Sequence, residues 1–525
     1  MAFKIRNADL IFAKIAGRFG KYLCIVSVFI YSINCNAQSQ GYFDSLTLSK
    51  NLLNEGLIRE ASEILKVMES SYPGDENLIR VRGQAFYWSK DFGKTKEYFS
   101  KSIAAYPALQ FIKLDYGRIL YELQSFREAV PVLESFILEN PDDPEANQLL
   151  GQLNYWLGRS PKKSVKYLDK ILDPYPDNEA AKALKQEIEK ATSPVFSIYT
   201  GYFSDSQPMN FSFLEGEFGF YTSALLQPKI TASISSYQAG QLISTFTLRN
   251  TSSFIPTGTT ITLSGGFVAS TSWENGVGLY GLQLDQKIKS GFTLNLAAAK
   301  ESYFYTLSSL DQTITPTTLK ASFGRDYEGK FTGRLWIQHS SFEDDNFVNS
   351  FGAWFLYPVL KLPFTRIELG YSYTHGDSKE VRFGPHLPIQ NRGNTTDAGT
   401  IIPGSYQPYF TPINQQIHGV LAKFTYSPNS SIKLDVTGNI GLKATIDNPN
   451  MIFYGIGNSL GNRPIVEEDL FLLLNPISYT PWDLSFNFNW ELSDYSAFKL
   501  SYGHQTTIFF NSNTLSLKFT KRLKR

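Results

Sequence analysis

Trp482-Asp483-Leu484-Ser485-Phe486-Asn487-Phe488-Asn489-Trp490 alternates large apolar side chains with Asp, Ser and Asn. Successive residues of a strand point to opposite faces, so this stretch has one greasy face and one wet face. The pattern recurs in Ile432-Lys433-Leu434-Asp435-Val436-Thr437, in Ile367-Glu368-Leu369-Gly370-Tyr371-Ser372-Tyr373 and in Leu515-Ser516-Leu517-Lys518-Phe519. Outward from these runs, the period stays at two from Val195 almost to the last residue. About sixteen segments carry it, near 195–203, 210–222, 228–238, 242–254, 259–271, 276–288, 291–304, 314–325, 330–341, 347–359, 363–375, 416–427, 431–443, 480–491, 495–507 and 513–522. Each has roughly the ~9–11 residues, plus flanks, that cross a bilayer at a tilt.

The connections supply a second criterion. In an outer-membrane barrel every second connection is a short turn on one side, and the others are longer. Lys289-Ser290, Asp326 to Gly329, Ser427 to Ser430 and Leu492 to Asp494 fall in the short set, and the two longest connections, 376–415 and 444–479, fall in the other. The expected architecture for residues 193–525 is therefore an antiparallel transmembrane β-barrel of ~16 strands. A soluble β-sandwich or propeller also buries one strand face. The aromatic strand ends and the unequal loops favour the barrel.

Composition agrees. Aromatic residues reach 15%, with 30 Tyr and 40 Phe, yet the mean hydropathy is only −0.20. No stretch after the N-terminal segment approaches 18 consecutive apolar residues, so a membrane reading requires a closed barrel and not helices. The balance of 49 basic and 48 acidic side chains argues against a nucleic-acid binder. At the N-terminus, Lys4, Arg6, Lys14, Arg18 and Lys21 precede an apolar run from Tyr22 to Ile33, and Cys35-Asn36-Ala37 places small residues before Gln38. That order predicts a secretory signal peptide over 1–37. Cys24 and Cys35, the only cysteines, both lie in it, so the mature chain would carry neither disulfide nor thiolate metal site. The expected location is the outer membrane, with the N-terminal domain in the periplasm.

Between leader and barrel lies a repeat. Pro73, Pro107, Pro141 and Pro176 are spaced 34, 34 and 35 residues apart, and Gly83, Gly117 and Gly151 keep the same register. Ala61 and Ala129 stand twelve residues before Pro73 and Pro141; Leu65, Phe99 and Leu133 stand eight before the first three prolines. Residues 38–192 thus resemble the tetratricopeptide (TPR) family, with Thr95 in place of a small residue and one extra residue in the fourth unit as departures. The resemblance implies an α-solenoid of helix–turn–helix units. The small residue would let the helices approach, the proline would end the second helix, and the groove would bind a periplasmic or inner-membrane protein.

A barrel of sixteen strands is wide enough for an aqueous channel. The inward set on this register includes Lys320, Arg334, Arg366, Glu368, Lys433, Asp435, Asp483 and Lys499. Mixed charge of this kind suits a hydrated neutral or zwitterionic cargo, and is also ordinary for a solvated wall. Most Tyr and Trp read as a lipid-facing girdle. Tyr409-Phe410-Thr411-Pro412, ahead of a strand from Gln416, looks like an element of the outer-membrane exporters of cellulose and poly-N-acetylglucosamine; it also reads as a turn in which Pro412 ends a loop. The order of leader, TPR arm and barrel resembles those exporters too, and the short arm is similar to the YaiO-type barrel family. The resemblance implies a conduit for a polysaccharide, with the arm docking a synthase component. A non-transporting anchor that recruits proteins is the alternative.

Catalysis has little support. His339, His375, His386, His418 and His504 are scattered, with no Gly-x-Ser-x-Gly, His-Glu-x-x-His or glycine-rich phosphate loop near them. The reading is of a non-enzyme without a cofactor.

Overall fold

The computed structural model describes residues 41–238, 240–326, 330–386, 398–454 and 465–524. The leader read at 1–37 lies outside the described residues. The chain divides into two compact units, one of Met1–Asn154 with Lys163–Lys182 and one of Tyr155–Lys162 with Ala183–Arg525.

The chain before the strands is built from paired helices: α1 (41–54), α2 (Ile58–Ser71), α3 (Glu76–Trp88), α4 (Phe92–Ala105), α5 (Gln110–Glu122), α6 (Phe126–Ile137), α7 (Pro144–Trp156), α8 (Pro161–Leu172) and α9 (Glu179–Thr192). Pro73, Pro107, Pro141 and Pro176 each stand just beyond an even-numbered helix, where a proline cannot continue the hydrogen-bond ladder. Ala61, Thr95, Ala129 and Ser164 occupy one repeat position and are all fully buried. Thr95 fits there because its hydroxyl donates to the Asp91 carbonyl at 2.8 Å, so no polar atom is stranded.

The glycines explain the tight spacing. A Cβ on Gly83 would lie 2.2 Å from the Phe99 ring, and one on Gly117 would lie 2.4 Å from Leu133; Gly151 meets Leu168 in the same way at 3.0 Å. Each repeat thus drops a bulky side chain of one helix onto the bare backbone of the preceding one. Gly117→Leu should overpack this contact and destabilise the helical unit by about 1–3 kcal/mol, lowering the melting temperature of the helical circular-dichroism signal. An unchanged melt would show that the helices are not so closely opposed.

The second unit carries β1 (Val195–Asp205), β2 (Asn210–Gly219), β3 (Gln227–Tyr237), β4 (Leu242–Phe254), β5 (Thr259–Ser270), β6 (Val277–Lys287), β7 (Phe292–Lys300) and β8 (Thr317–Arg325). It continues with β9 (Thr332–Ser341), β10 (Phe347–Lys361), β11 (Thr365–Ser378), β12 (Gln415–Asn429), β13 (Ile432–Phe453), β14 (Trp482–Ser493), β15 (Ser496–Thr506) and β16 (Asn511–Arg522). Each strand pairs antiparallel with the next, and β16 pairs with β1 from Val195↔Arg522 to Asp205↔Ser512. The wall is closed, so no edge strand is left unpaired.

These sixteen strands lie on the sixteen alternating segments, with two differences. The stretch 444–479 reads as a loop, but β13 runs on to Phe453 and Leu470–Tyr479 pairs back along it, from Ala444↔Tyr479 to Phe453↔Leu470. Pro449, Pro476 and the unbroken run Phe471-Leu472-Leu473-Leu474 hide the period of two in this hairpin. The other long connection also holds structure: Phe383–Pro385 pairs with Gly404–Tyr406, and Ile401–Ile402 joins β13. Strand β11 extends three residues past His375.

The outer face decides the setting. Phe246, Leu248, Leu263, Phe267, Tyr280 and Leu282 are all exposed, and the register puts Phe246 opposite Phe267 and Leu263 opposite Leu282. Rows like this continue around the wall. In water such a surface would be a severe association liability; in lipid it is the ordinary apolar band. No helix among the described residues is long and apolar enough to cross a membrane. The unit is an outer-membrane-type barrel.

Candidate functional site: an inner wall beneath a lid of loops

The face opposite the apolar band is polar. Lys320 on β8, Arg334 on β9, Arg366 and Glu368 on β11, Lys433 and Asp435 on β13, Asp483 on β14 and Lys499 on β15 all share it, as the strand register shows. They do not form one cluster. Arg366 pairs with the buried Glu368 at 3.2 Å. Asp435 takes Lys433 at 3.6 Å, Lys423 at 3.8 Å and the Thr425 hydroxyl at 2.8 Å. Arg334 pairs with Asp326 at the strand end and donates to the Ser322 hydroxyl at 3.3 Å. The Asn439 amide donates to Asp483 at 3.5 Å.

Sequence reasoning placed most aromatics on the lipid side, but several turn inward. Trp336 lies opposite Gly352, whose missing Cβ would fall 2.7 Å from the indole. The Lys320 ammonium sits 6.0 Å from the centroid of the same ring. Trp354 pairs with Arg334 on the same face. Across Leu335-Trp336-Ile337 both faces are apolar, so alternation gave no signal. The histidines His339, His375 and His504 lie on the outer face among aromatic rings, Phe347, Phe351 and Trp482 respectively. The Tyr371 hydroxyl and His418 Nδ1 are 2.6 Å apart. None of these faces the polar wall, and no cluster of metal ligands occurs among the described residues.

The mouth opposite the start of β1 is bridged by loops. The β7–β8 connection, 301–316, buries Leu310 against Met209, Tyr237, Ile243 and Val268. The Leu310 carbonyl accepts from the Trp273 indole at 3.0 Å and from the Ser272 hydroxyl at 3.2 Å. Tyr409-Phe410-Thr411-Pro412 then locks the β11–β12 connection to this layer. The Phe410 backbone N–H donates to the Tyr303 hydroxyl at 2.9 Å, while its ring stacks on Phe509, 4.6 Å away in the β15–β16 connection. The β7–β8 and β15–β16 connections are eight strands apart in a wall of sixteen, so a segment that touches both spans the mouth.

One clamp holds that segment. Tyr409 is buried, its ring stacked 3.6 Å from Phe342, and its hydroxyl is shared between the Asp344 oxygens at 2.7 and 2.8 Å. The Arg382 guanidinium donates to Asp344 at 2.6 Å and to Glu380 at 2.8 Å, and the Arg382 backbone N–H donates to the Thr411 hydroxyl at 2.9 Å. Burial pushes the Asp344 carboxyl up, but the Tyr409 and Arg382 hydrogen bonds outweigh it and hold the group below its ordinary 3.8. The hydrogen bond to Asp344 raises Arg382, and burial raises the Tyr409 hydroxyl. A depressed carboxyl stabilises the clamp fully above 3.8, and that contribution is lost as pH falls through the lowered value. Lid opening should therefore rise when recordings are taken from about pH 6 down to about pH 3, and Asp344→Asn should abolish this dependence. A pH response unchanged in that variant would assign it to other groups.

The helical unit has its own concavity, a cleft of ≈ 420 Å³ lined by Lys50, Arg80, Gln84, Tyr87, Asp115 and Arg118 among others. A ladder of charges runs through it: Arg80 pairs with Asp115, which takes Arg118 at 2.9 Å, and Arg118 grips Glu145 at 2.6 and 2.7 Å.

Helical TPR repeats followed by an outer-membrane-type barrel define the architectural class. No family model and no curated protein matches the chain. Among solved structures, a bacterial polysaccharide outer membrane secretin matches 63% of this chain and 99% of its own, at 8% identity and a TM-score of 0.45. A tetratricopeptide repeat protein from Parabacteroides merdae covers 29% of this chain and 60% of its own, at 19% identity and a TM-score of 0.27. MamA from Desulfovibrio magneticus covers 28% and 83%, at 20% identity and 0.25. Likenesses of this degree leave the fold resting on the chain's own register and helix spacing.

Proposed function

We propose that the chain is a gated conduit for a saccharide chain across the outer membrane, its TPR arm lying in the periplasm and docking a periplasmic or inner-membrane protein. The observation that carries the reading is a closed sixteen-strand wall whose inner face is polar and charged, under loops tied together at Asp344 by Tyr409 and Arg382. A wall meant only to anchor needs no polar clamp at its mouth. The charge ladder of the helical cleft supports a polar polypeptide segment as the arm's partner.

The bridged mouth also favours a second reading, an anchor that passes nothing and presents the arm to assembly partners. Conductance separates the two. Full-length protein in planar bilayers should carry current once the clamp is released, and silence in every clamp variant that still inserts would leave the anchor.

A further inference from the structure

We infer that the inner wall recognises an acidic saccharide chain, one bearing carboxylate groups, through Lys320 with Trp336 on one side and the lysine pair Lys499–Lys518 on another. This deepens the conduit reading and rests on it. It also revises the neutral or zwitterionic cargo that a count of charges implies, because what matters is which charges remain available.

Most carboxylates of the inner wall are already engaged, Glu215 being the exception. Glu217 pairs with Lys229 at 3.0 Å. Glu368 and Asp435 hold the partners described above. Asp285 accepts from the Asn295 amide at 2.6 Å and from the Gln283 amide at 2.8 Å. The cations are not matched in the same way. Among the described residues Lys320 meets no carboxylate; its neighbour is the Trp336 ring. Lys499 meets none either, although it stands directly opposite Lys518 on the same face. Like charges directly opposite across a ladder are destabilising, and among the described residues the carboxylate within 4 Å of Lys518 is Glu217, at 3.9 Å and already committed to Lys229, while Glu215 stands further off across Tyr199. The same row continues through Asn489, opposite Lys499, to Lys433, opposite Asn489.

An ammonium beside a half-buried indole on the inner wall is the pairing that a sugar carboxylate on a stacked ring requires. The ring's C–H face lies on the aromatic plane, and the carboxylate meets the cation through a charge-assisted hydrogen bond. Gly352 contributes by leaving room for the Trp336 indole to lie along the wall. The Lys499–Lys518 pair would hold a second carboxylate further along the chain and relieve its own repulsion.

Tetragalacturonate and cellotetraose serve as the ligands, one acidic and one neutral. Calorimetric titration of the detergent-solubilised full-length protein should show tetragalacturonate bound, and Lys320→Gln with Lys499→Gln should weaken it about tenfold. Trp336→Ala should weaken both ligands. In bilayers, with the lid released, tetragalacturonate should block current at a concentration about tenfold below that of cellotetraose. Equal affinity for the two sugars, or tetragalacturonate binding untouched by the lysine substitutions, would overturn the acidic-cargo inference while leaving the conduit intact. Tetragalacturonate binding that survives in a barrel carrying no current would instead remove the conduit and keep the site.

Discussion

Asp344→Asn combined with Arg382→Gln is expected to turn a silent barrel into a conducting one. In the structure Asp344 accepts from the Tyr409 hydroxyl and the Arg382 guanidinium, and Arg382 in turn holds Glu380. With 40% of the Asp344 side chain exposed, solvent screens these bonds to about 0.5–1.5 kcal/mol each, so losing them should shift the open-to-closed ratio by roughly five- to a hundredfold. The double variant is the better choice because a single Arg382→Gln leaves the carboxylate without its cation, which confounds opening with local misfolding. Tyr409→Phe keeps the ring stacked on Phe342 and removes only the hydroxyl, so it should fall between wild type and the double variant. Single-channel recording reads the open fraction directly. A double variant that inserts yet never conducts would sink the gate.

The second large effect concerns the band. Leu282 is 49% exposed on the outer face, and its neighbour Gln283 points to the inner one, where it donates to Asp285. Leu282→Arg should cost about 2–4 kcal/mol if that face meets lipid near the midplane. If it met water, a half-exposed position would tolerate the change within about 0.5 kcal/mol. Gln283→Lys, one residue away, should be nearly silent in either case. Folding yield into lipid vesicles, read by heat-modifiable migration on gels, separates the outcomes, and equal yields for the two variants would argue against a membrane band.

How much of this was legible before any coordinates follows from the range over which each signal acts. The wall was readable because parity is local: Trp482 to Trp490 shows its two faces within one strand. The repeat was readable because the same contact, glycine against a bulky side chain, recurs at one spacing in Gly83–Phe99 and Gly117–Leu133. The lid was not. Tyr303, Asp344, Arg382 and Phe509 come from four separate connections, and nothing in their neighbouring residues marks them as partners. Tyr409 stood out only through its resemblance to an exporter element, and its carboxylate partner had no sequence signature. The inward tryptophans were missed for a different reason, since a strand apolar on both sides, as at Leu335-Trp336-Ile337, carries no parity to read.

The seam between β1 and β16 also governs how the molecule can be made. The first strand to be synthesised finds its second neighbour only in Asn511–Arg522, so until then its edge has hydrogen-bonding groups with nothing to bind. The helical repeats, whose contacts are short in sequence, can fold long before that. A nascent chain of this design is therefore most prone to aggregate in the interval before its final strand closes the seam.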